Sequence, residues 1–146
     1  MAALAVMAID QGTTGTSVML FSQEGRMLYR AYREVTQHYP HPGWVEHDPE
    51  EILVGVIDAA DEVVHQTGIV PAAIGITNQR ETMVVWDKST GLPVHKAIVW
   101  QCRRTANDCA ELRAKGVEES IRAKTGLVLD PYFSATKLAW LLREYP

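Results

Sequence analysis

The sequence predicts an α/β layered fold. Three features predict it. The chain opens with three apolar runs separated by tight turns. A well-capped amphipathic helix follows. Further apolar runs then lead into a helical last third.

Leu4–Ile9 is a continuous apolar run, as in a buried strand. Residues 10–16 form a turn rich in glycine and hydroxyls, and Ser17–Phe21 returns as a second strand. Ser22–Gly25 is a tight turn in which Gly25 can take positive φ. Met27–Val35 is a third strand, and its mixed polarity sets it near a sheet edge. The opening is therefore an antiparallel meander. His38–His47 reads as a loop, marked by Pro40, Pro42 and Gly43.

Asp48 is a good N-cap, Pro49 suits the first helical position, and Glu51 completes a capping-box-like pattern. Ile52, Leu53, Val56, Ile57, Ala60, Val63 and Val64 recur with helical spacing, and Gly68 stops the helix. Ala72–Thr77 reads as a buried strand, Thr82–Trp86 as a second and Val94–Trp100 as a third, with a turn at Asp87–Pro93. Arg103–Lys115 is helical, with Ala106, Cys109, Ala110 and Leu112 on one side. Val117–Lys124 is a short helix. Ser134 is expected to cap a last one with Leu138, Leu141 and Leu142 inward.

The composition is that of an ordinary globular chain, with 47% hydrophobic and 22% charged residues over 146 positions, one domain by length. A net charge of −4 and the absence of a basic stripe speak against nucleic acid. No apolar run approaches the ~20 residues of a membrane span. Met1–Val6 is uncharged and unlike a signal peptide. Cys102 and Cys109 are spaced ~10 Å apart on a helix, too far for a disulfide. Reduced thiols in a cytoplasmic protein are the expectation. The sequence stops just past an apolar helix with no tail, as expected of a piece of a longer protein.

The first chemical motif is Asp10-Gln11-Gly12-Thr13-Thr14 after a buried strand. As a phosphate loop, Gly12 lets the backbone approach an anion, Thr13 and Thr14 offer hydroxyl donors, and Asp10 can hold Mg²⁺. A plain hairpin turn accounts for the same residues. It is neither a Walker A loop nor a Rossmann fingerprint. The second motif, Arg80-Glu81, sits in a polar break between apolar runs. The two charges could simply neutralise each other. They could also serve a polyol, Arg80 donating to a hydroxyl oxygen and Glu81 accepting a hydroxyl proton. Trp100 and Tyr132 lie at loop edges, where they are core aromatics or an apolar wall for C–H groups.

Asp10–Thr14 resembles the first phosphate motif of the FGGY carbohydrate kinases. The stretches Gly43–Pro49, Gly75–Thr82, Ala97–Thr105 and Thr125–Ser134 resemble, in order, the glycerol kinase branch of that family. The resemblance implies a ribonuclease-H-like, actin-like ATPase fold, with this chain an incomplete N-terminal lobe having a mixed sheet and flanking helices, and the second lobe absent. It implies ATP-dependent phosphorylation of glycerol to sn-glycerol 3-phosphate. ATP is bound at Asp10, Gly12, Thr13 and Thr14, Mg²⁺ at Asp10, and glycerol by Arg80, Glu81, Trp100 and Tyr132. It further implies a homo-oligomeric full-length protein, no nucleic-acid or membrane partner, and a catalytic base beyond residue 146. Many glycerol kinases carry an arginine shortly after the threonines, where it can reach the nucleotide phosphates. This chain has Ser17 there. The competing readings are a kinase for another sugar or polyol, and a non-enzymatic actin-like nucleotide-binding module.

Overall fold

The computed structural model describes residues 4–145, so Pro146 and the Met1–Ala3 part of the opening stretch lie outside the described residues. The chain divides into two compact units. One comprises Met1–Thr36 with Asp48–Gln79, the other Gln37–His47 with Arg80–Pro146.

The first unit holds the predicted meander. Strands β1 (Ala5–Gln11), β2 (Gly15–Ser22) and β3 (Met27–Glu34) pair antiparallel in sequence order. Gly25 takes a φ of 77° in the turn between β2 and β3. Helix α1 (Pro49–Thr67) carries the chain back to β5 (Ala73–Asn78), which pairs parallel with β1. The sheet order is β3-β2-β1-β5, a mixed sheet with β3 at an edge as its polarity predicts. Met7, Ile9, Val18, Leu20 and Ala31 share the face packed on Ala59 and Val63 of α1. Period-2 alternation sends the intervening residues to the opposite face, which bears no helix within this unit.

The caps of α1 are those the sequence predicts. Asp48 Oδ1 accepts from the Glu50 and Glu51 backbone amides, and Gly68 closes the helix at a φ of 66°. Two expectations change. Leu53 and Ile57 are exposed, because the sheet meets α1 along Val56, Ala59, Ala60, Val63 and Val64. Strand β5 is exposed along its whole length instead of buried. Its Ile74 and Ile76 lie in register with Met7 and Ile9, but α1 packs chiefly over β2 and β3, and both isoleucines stay exposed.

The second unit is built from short pieces. Strand β4 (Glu46–His47), inside the predicted loop, pairs antiparallel with β6 (Ala97–Ile98). The expected strands at 82–86 and 94–100 shrink to β6 and isolated bridges, Met83 to Ile98 and Trp86 to Pro93. Helices α2 (Ala106–Ala114), α3 (Glu118–Thr125) and α4 (Ser134–Glu144) complete it. Ala110 of α2 is exposed, and only Cys109 of the expected apolar side is buried. On α4 the buried residues are Thr136, Lys137, Trp140 and Leu141, while Leu138 and Leu142 are exposed. The N-cap of α4 is Phe133, not Ser134, whose hydroxyl is engaged elsewhere.

At the centre of this unit lies Arg104, with its side chain 0% exposed. Its Nη2 donates to Glu46 Oε1 at 2.6 Å and its Nε to Cys102 Sγ at 3.1 Å. The guanidinium carbon lies 3.9 Å from the Trp44 ring centroid and 4.6 Å from that of Trp140. Nη1 has no hydrogen-bond partner, so the aromatic faces supply its remaining stabilisation. Removing one member of such a pair strands the other charge in the interior. Arg104→Leu is therefore expected to lower unfolding free energy by about 3 to 5 kcal/mol. Arg103→Ala, at the exposed 3.4 Å pair with Asp130, should cost under ~1 kcal/mol. Urea titration of both variants checks the contrast.

Candidate functional site

The phosphate-loop candidates occupy the β1–β2 hairpin of the first unit. Strand β1 runs through Asp10 and Gln11, so the turn itself is only Gly12, Thr13 and Thr14. Asp10 is exposed on the helix-free face, across from Ser17 on β2 and Thr77 on β5. The Gly12 amide donates to Gly15 O at 2.9 Å, closing the turn. Gln11 turns the other way and is buried, its Nε2 donating to Gly12 O at 2.8 Å. Gln79 lies beside it, with its backbone amide on Gln11 O at 2.7 Å and its Nε2 on Gln11 Oε1 at 3.3 Å.

The Thr14 carbonyl accepts from the Val35 amide at 3.1 Å and from the Tyr32 hydroxyl at 3.2 Å. Tyr32 in turn lies directly over Gly15. Any side chain at position 15 would overlap the Tyr32 ring and the Arg33 carbonyl. The hairpin is thus held from both sides, with the two threonines in its turn and Asp10 on β1 just before it.

The polyol candidates gather in the second unit. Glu81 takes a φ of 61°, the only positive φ outside glycine among the described residues. Its Oε2 accepts from the Ser134 amide at 3.0 Å and the Ser134 hydroxyl at 2.7 Å. Lys137 Nζ donates to Glu81 O at 2.8 Å and to Tyr132 O at 2.7 Å, tying those two segments together. Trp100 and Tyr132 meet edge-on with centroids 5.7 Å apart, and the Trp100 amide donates to Thr82 Oγ1 at 3.3 Å. Trp100 and Tyr132 line a cavity of about 280 Å³ together with Gln101, Arg103 and Asp130. Arg80 is exposed beside Glu81 and pairs with nothing among the described residues. Glu81, Trp100 and Tyr132 are therefore brought together, with Arg80 at the border.

Sequence reasoning missed Gln11, Gln79, Tyr32, Lys137 and Arg104. Tyr32 could have been found from strand alternation, which sets it across from Ser17. Lys137 had no such signal, since a lysine at a helical core position is ordinarily a solvent residue. Burial lowers its pKa to about 8, with the Cys102 thiol and the Glu81 carboxylate opposing that shift.

The description "FGGY family of carbohydrate kinases, N-terminal domain" matches residues 5–146. The chain belongs to this family. It is 57% identical over 140 residues to the glycerol kinase of Carboxydothermus hydrogenoformans, covering 94% of this chain and 28% of that protein. Among solved structures it is similar to the Plasmodium falciparum glycerol kinase with ADP. There the TM-score is 0.96 at 35% identity, over 99% of this chain and 30% of that one. A xylulose kinase from Rhodospirillum rubrum superposes with a TM-score of 0.89 at 28% identity, over 97% and 30% of the two chains. The fold of this FGGY domain is thus the mixed-sheet, actin-like one of the sugar kinases. The chain spans under a third of the length of the relatives it matches.

Two outcomes test the geometry of this FGGY domain. Gly15→Val should disorder the hairpin against Tyr32 and cost about 2 kcal/mol or more, read by urea titration. Lys137 carries a folded pKa of about 8 against 10.5 in the unfolded chain. Between those values the unfolded state binds more protons, so this group's contribution to stability rises with pH. The stability of the natural chain relative to Lys137→Met should climb from pH 8 to pH 10.5. Parallel pH curves would refute the assignment.

Proposed function

We propose that this domain is the N-terminal lobe of an ATP-dependent glycerol kinase, which makes sn-glycerol 3-phosphate. Both compact units belong to that lobe in this reading. The observation that carries it is the assembly of Glu81, Trp100 and Tyr132 by Lys137 and Ser134. Glu81 offers an acceptor to a hydroxyl, Arg80 a donor, and the aromatic pair a wall for the C–H groups of a small triol. The 57% identity to a glycerol kinase, against 28% to the xylulose kinase, supports glycerol over a pentulose.

The hairpin serves the phosphates of ATP. Its turn carries two threonines and follows closely on the Asp10 carboxylate, a group set suited to an anion with a divalent cation. Among the described residues no cluster of three His, Cys, Asp or Glu forms a metal cage. That fits Mg²⁺, which needs only one or two carboxylates when phosphates supply further oxygens. Asp10 would hold it. Held there, Mg²⁺ would supply charge neutralisation for the phosphoryl oxygens. Thr13 and Thr14 orient the phosphate chain, and Gly12 keeps the turn tight enough for that approach.

Neither Asp10 nor Glu81 is assigned as the base that takes the glycerol proton. Asp10 serves the cation, and Glu81 Oε2 already accepts two hydrogen bonds from Ser134. The base comes from the part of the enzyme outside these residues. In this reading the enzyme is a cytoplasmic homo-oligomer, consistent with the two unpaired thiols, Cys102 and Cys109. Among the described residues no helix is long and apolar enough to cross a membrane.

The test is kinetic, on the full-length protein. Glycerol should be the best acceptor in a panel with xylulose and gluconate. Glu81→Gln should raise KM for glycerol on the order of a hundredfold. Asp10→Asn should abolish turnover while glycerol still binds. The 146-residue chain alone should show no glycerol-dependent ATP hydrolysis. A pentulose preferred over glycerol would move the assignment to another FGGY kinase.

A further inference from the structure

Arg30 occupies an unusual place beside the hairpin. It stems from β3 in register with Met19 of β2, in the next row on the same face from the row formed by Asp10, Ser17 and Tyr32. Its side chain does not follow its own row. It leans toward the turn, and Nη2 donates to Ser17 Oγ at 2.8 Å. The guanidinium carbon lies 5.5 Å from the centroid of the Tyr32 ring. Tyr32 is itself anchored by its hydroxyl to Thr14 O. The cation is therefore braced by a residue that also holds the loop.

Directly opposite residues on paired strands have Cβ atoms about 5 Å apart on the same face. Ser17 and Asp10 are such a pair. The Arg30 guanidinium thus rests on the residue flanking Asp10, on the exposed face, at the hairpin end of the sheet. Among the described residues no carboxylate pairs with it. Contrast Arg33 on the other face of β3, neutralised by Glu62 at 2.7 Å. A surface arginine with no such task is free to extend into water. This one is folded back over a serine with most of its donors still available.

We propose that Arg30 contacts the phosphate chain of the bound nucleotide from β3, with Tyr32 as its brace. The assignment rests on the phosphate-binding reading of the hairpin. A planar guanidinium offers paired N–H donors that match phosphate oxygens. Ser17 holds the side chain near the turn before nucleotide arrives, which limits the ordering cost on binding.

The test is MgADP binding to the full-length protein by titration calorimetry, with glycerol binding and melting temperature as controls. Arg30→Gln should weaken MgADP binding about tenfold and leave the glycerol affinity and melting temperature unchanged. Adding Ser17→Arg to Arg30→Gln should recover most of that loss, because the guanidinium returns to the same row. If Arg30→Gln lowers the melting temperature, the recovery arm decides. Failure to recover would mean that Arg30 only steadies the sheet edge, and would overturn the proposal. Equal MgADP affinity of natural protein and Arg30→Gln would overturn it too, while leaving the hairpin reading intact. If the natural protein binds glycerol but no MgADP, the hairpin reading falls and this assignment falls with it.

Discussion

Strand β1 is paired on both edges, and its two-residue alternation is the constraint on which the first unit depends. Met7 and Ile9 must face α1, because their burial supplies the core of that unit. Asp10 is then forced onto the helix-free face. A register slip of one residue would drive its carboxylate into the apolar layer, at a cost that no partner there could offset. The same alternation returns Gln11 to the buried side, where its Oε1 accepts from Gln79 and its Nε2 donates to Gly12 O. Hydrophobic burial thus sets the position of an exposed carboxylate.

The second unit solves its packing differently. It has a two-stranded ribbon in place of a large sheet, and polar ties do much of the joining. Arg104 gathers Trp44 and Glu46 from one stretch, Trp140 from α4 and Cys102 from its own loop. Lys137 does the same for Glu81 and Tyr132. Both cations are buried, and Lys137 lies where the candidate binding residues Glu81 and Tyr132 are fixed. A purely apolar core would be cheaper to desolvate, but it would not specify which carbonyls and carboxylates converge. The buried thiol of Cys109 fits this pattern passively, with burial raising its pKa and keeping it neutral.

Much of the local architecture was legible in the residues. The caps of α1, the Gly25 turn, the meander and the edge position of β3 all follow from short-range chemistry, which acts within a few residues. The weaker readings share one cause. Apolar runs at Ala72–Thr77 and Thr82–Trp86 look like buried strands, but burial depends on which element covers them. Within the first unit α1 packs chiefly on β2 and β3 and leaves β5 exposed, and in the second the ribbon breaks up after two residues. Ser134 looks like a cap by type, yet its hydroxyl is drawn to Glu81, which is distant in sequence.

The sequence by itself determined the identity of the chemical groups and the local frames that carry them: Asp10 and the threonines at a hairpin tip, Arg80-Glu81 in a polar break, Trp100 and Tyr132 at loop edges. Those follow from propensity, periodicity and turn chemistry. Only the tertiary structure decided that Lys137 would bridge Glu81 and Tyr132, that Arg104 would be buried between two tryptophans, and that Arg30 would lean across β2 toward the hairpin. The physical reason is range. Backbone preferences act over neighbouring residues, whereas a long cationic side chain finds its partners among whatever the fold brings within hydrogen-bond reach.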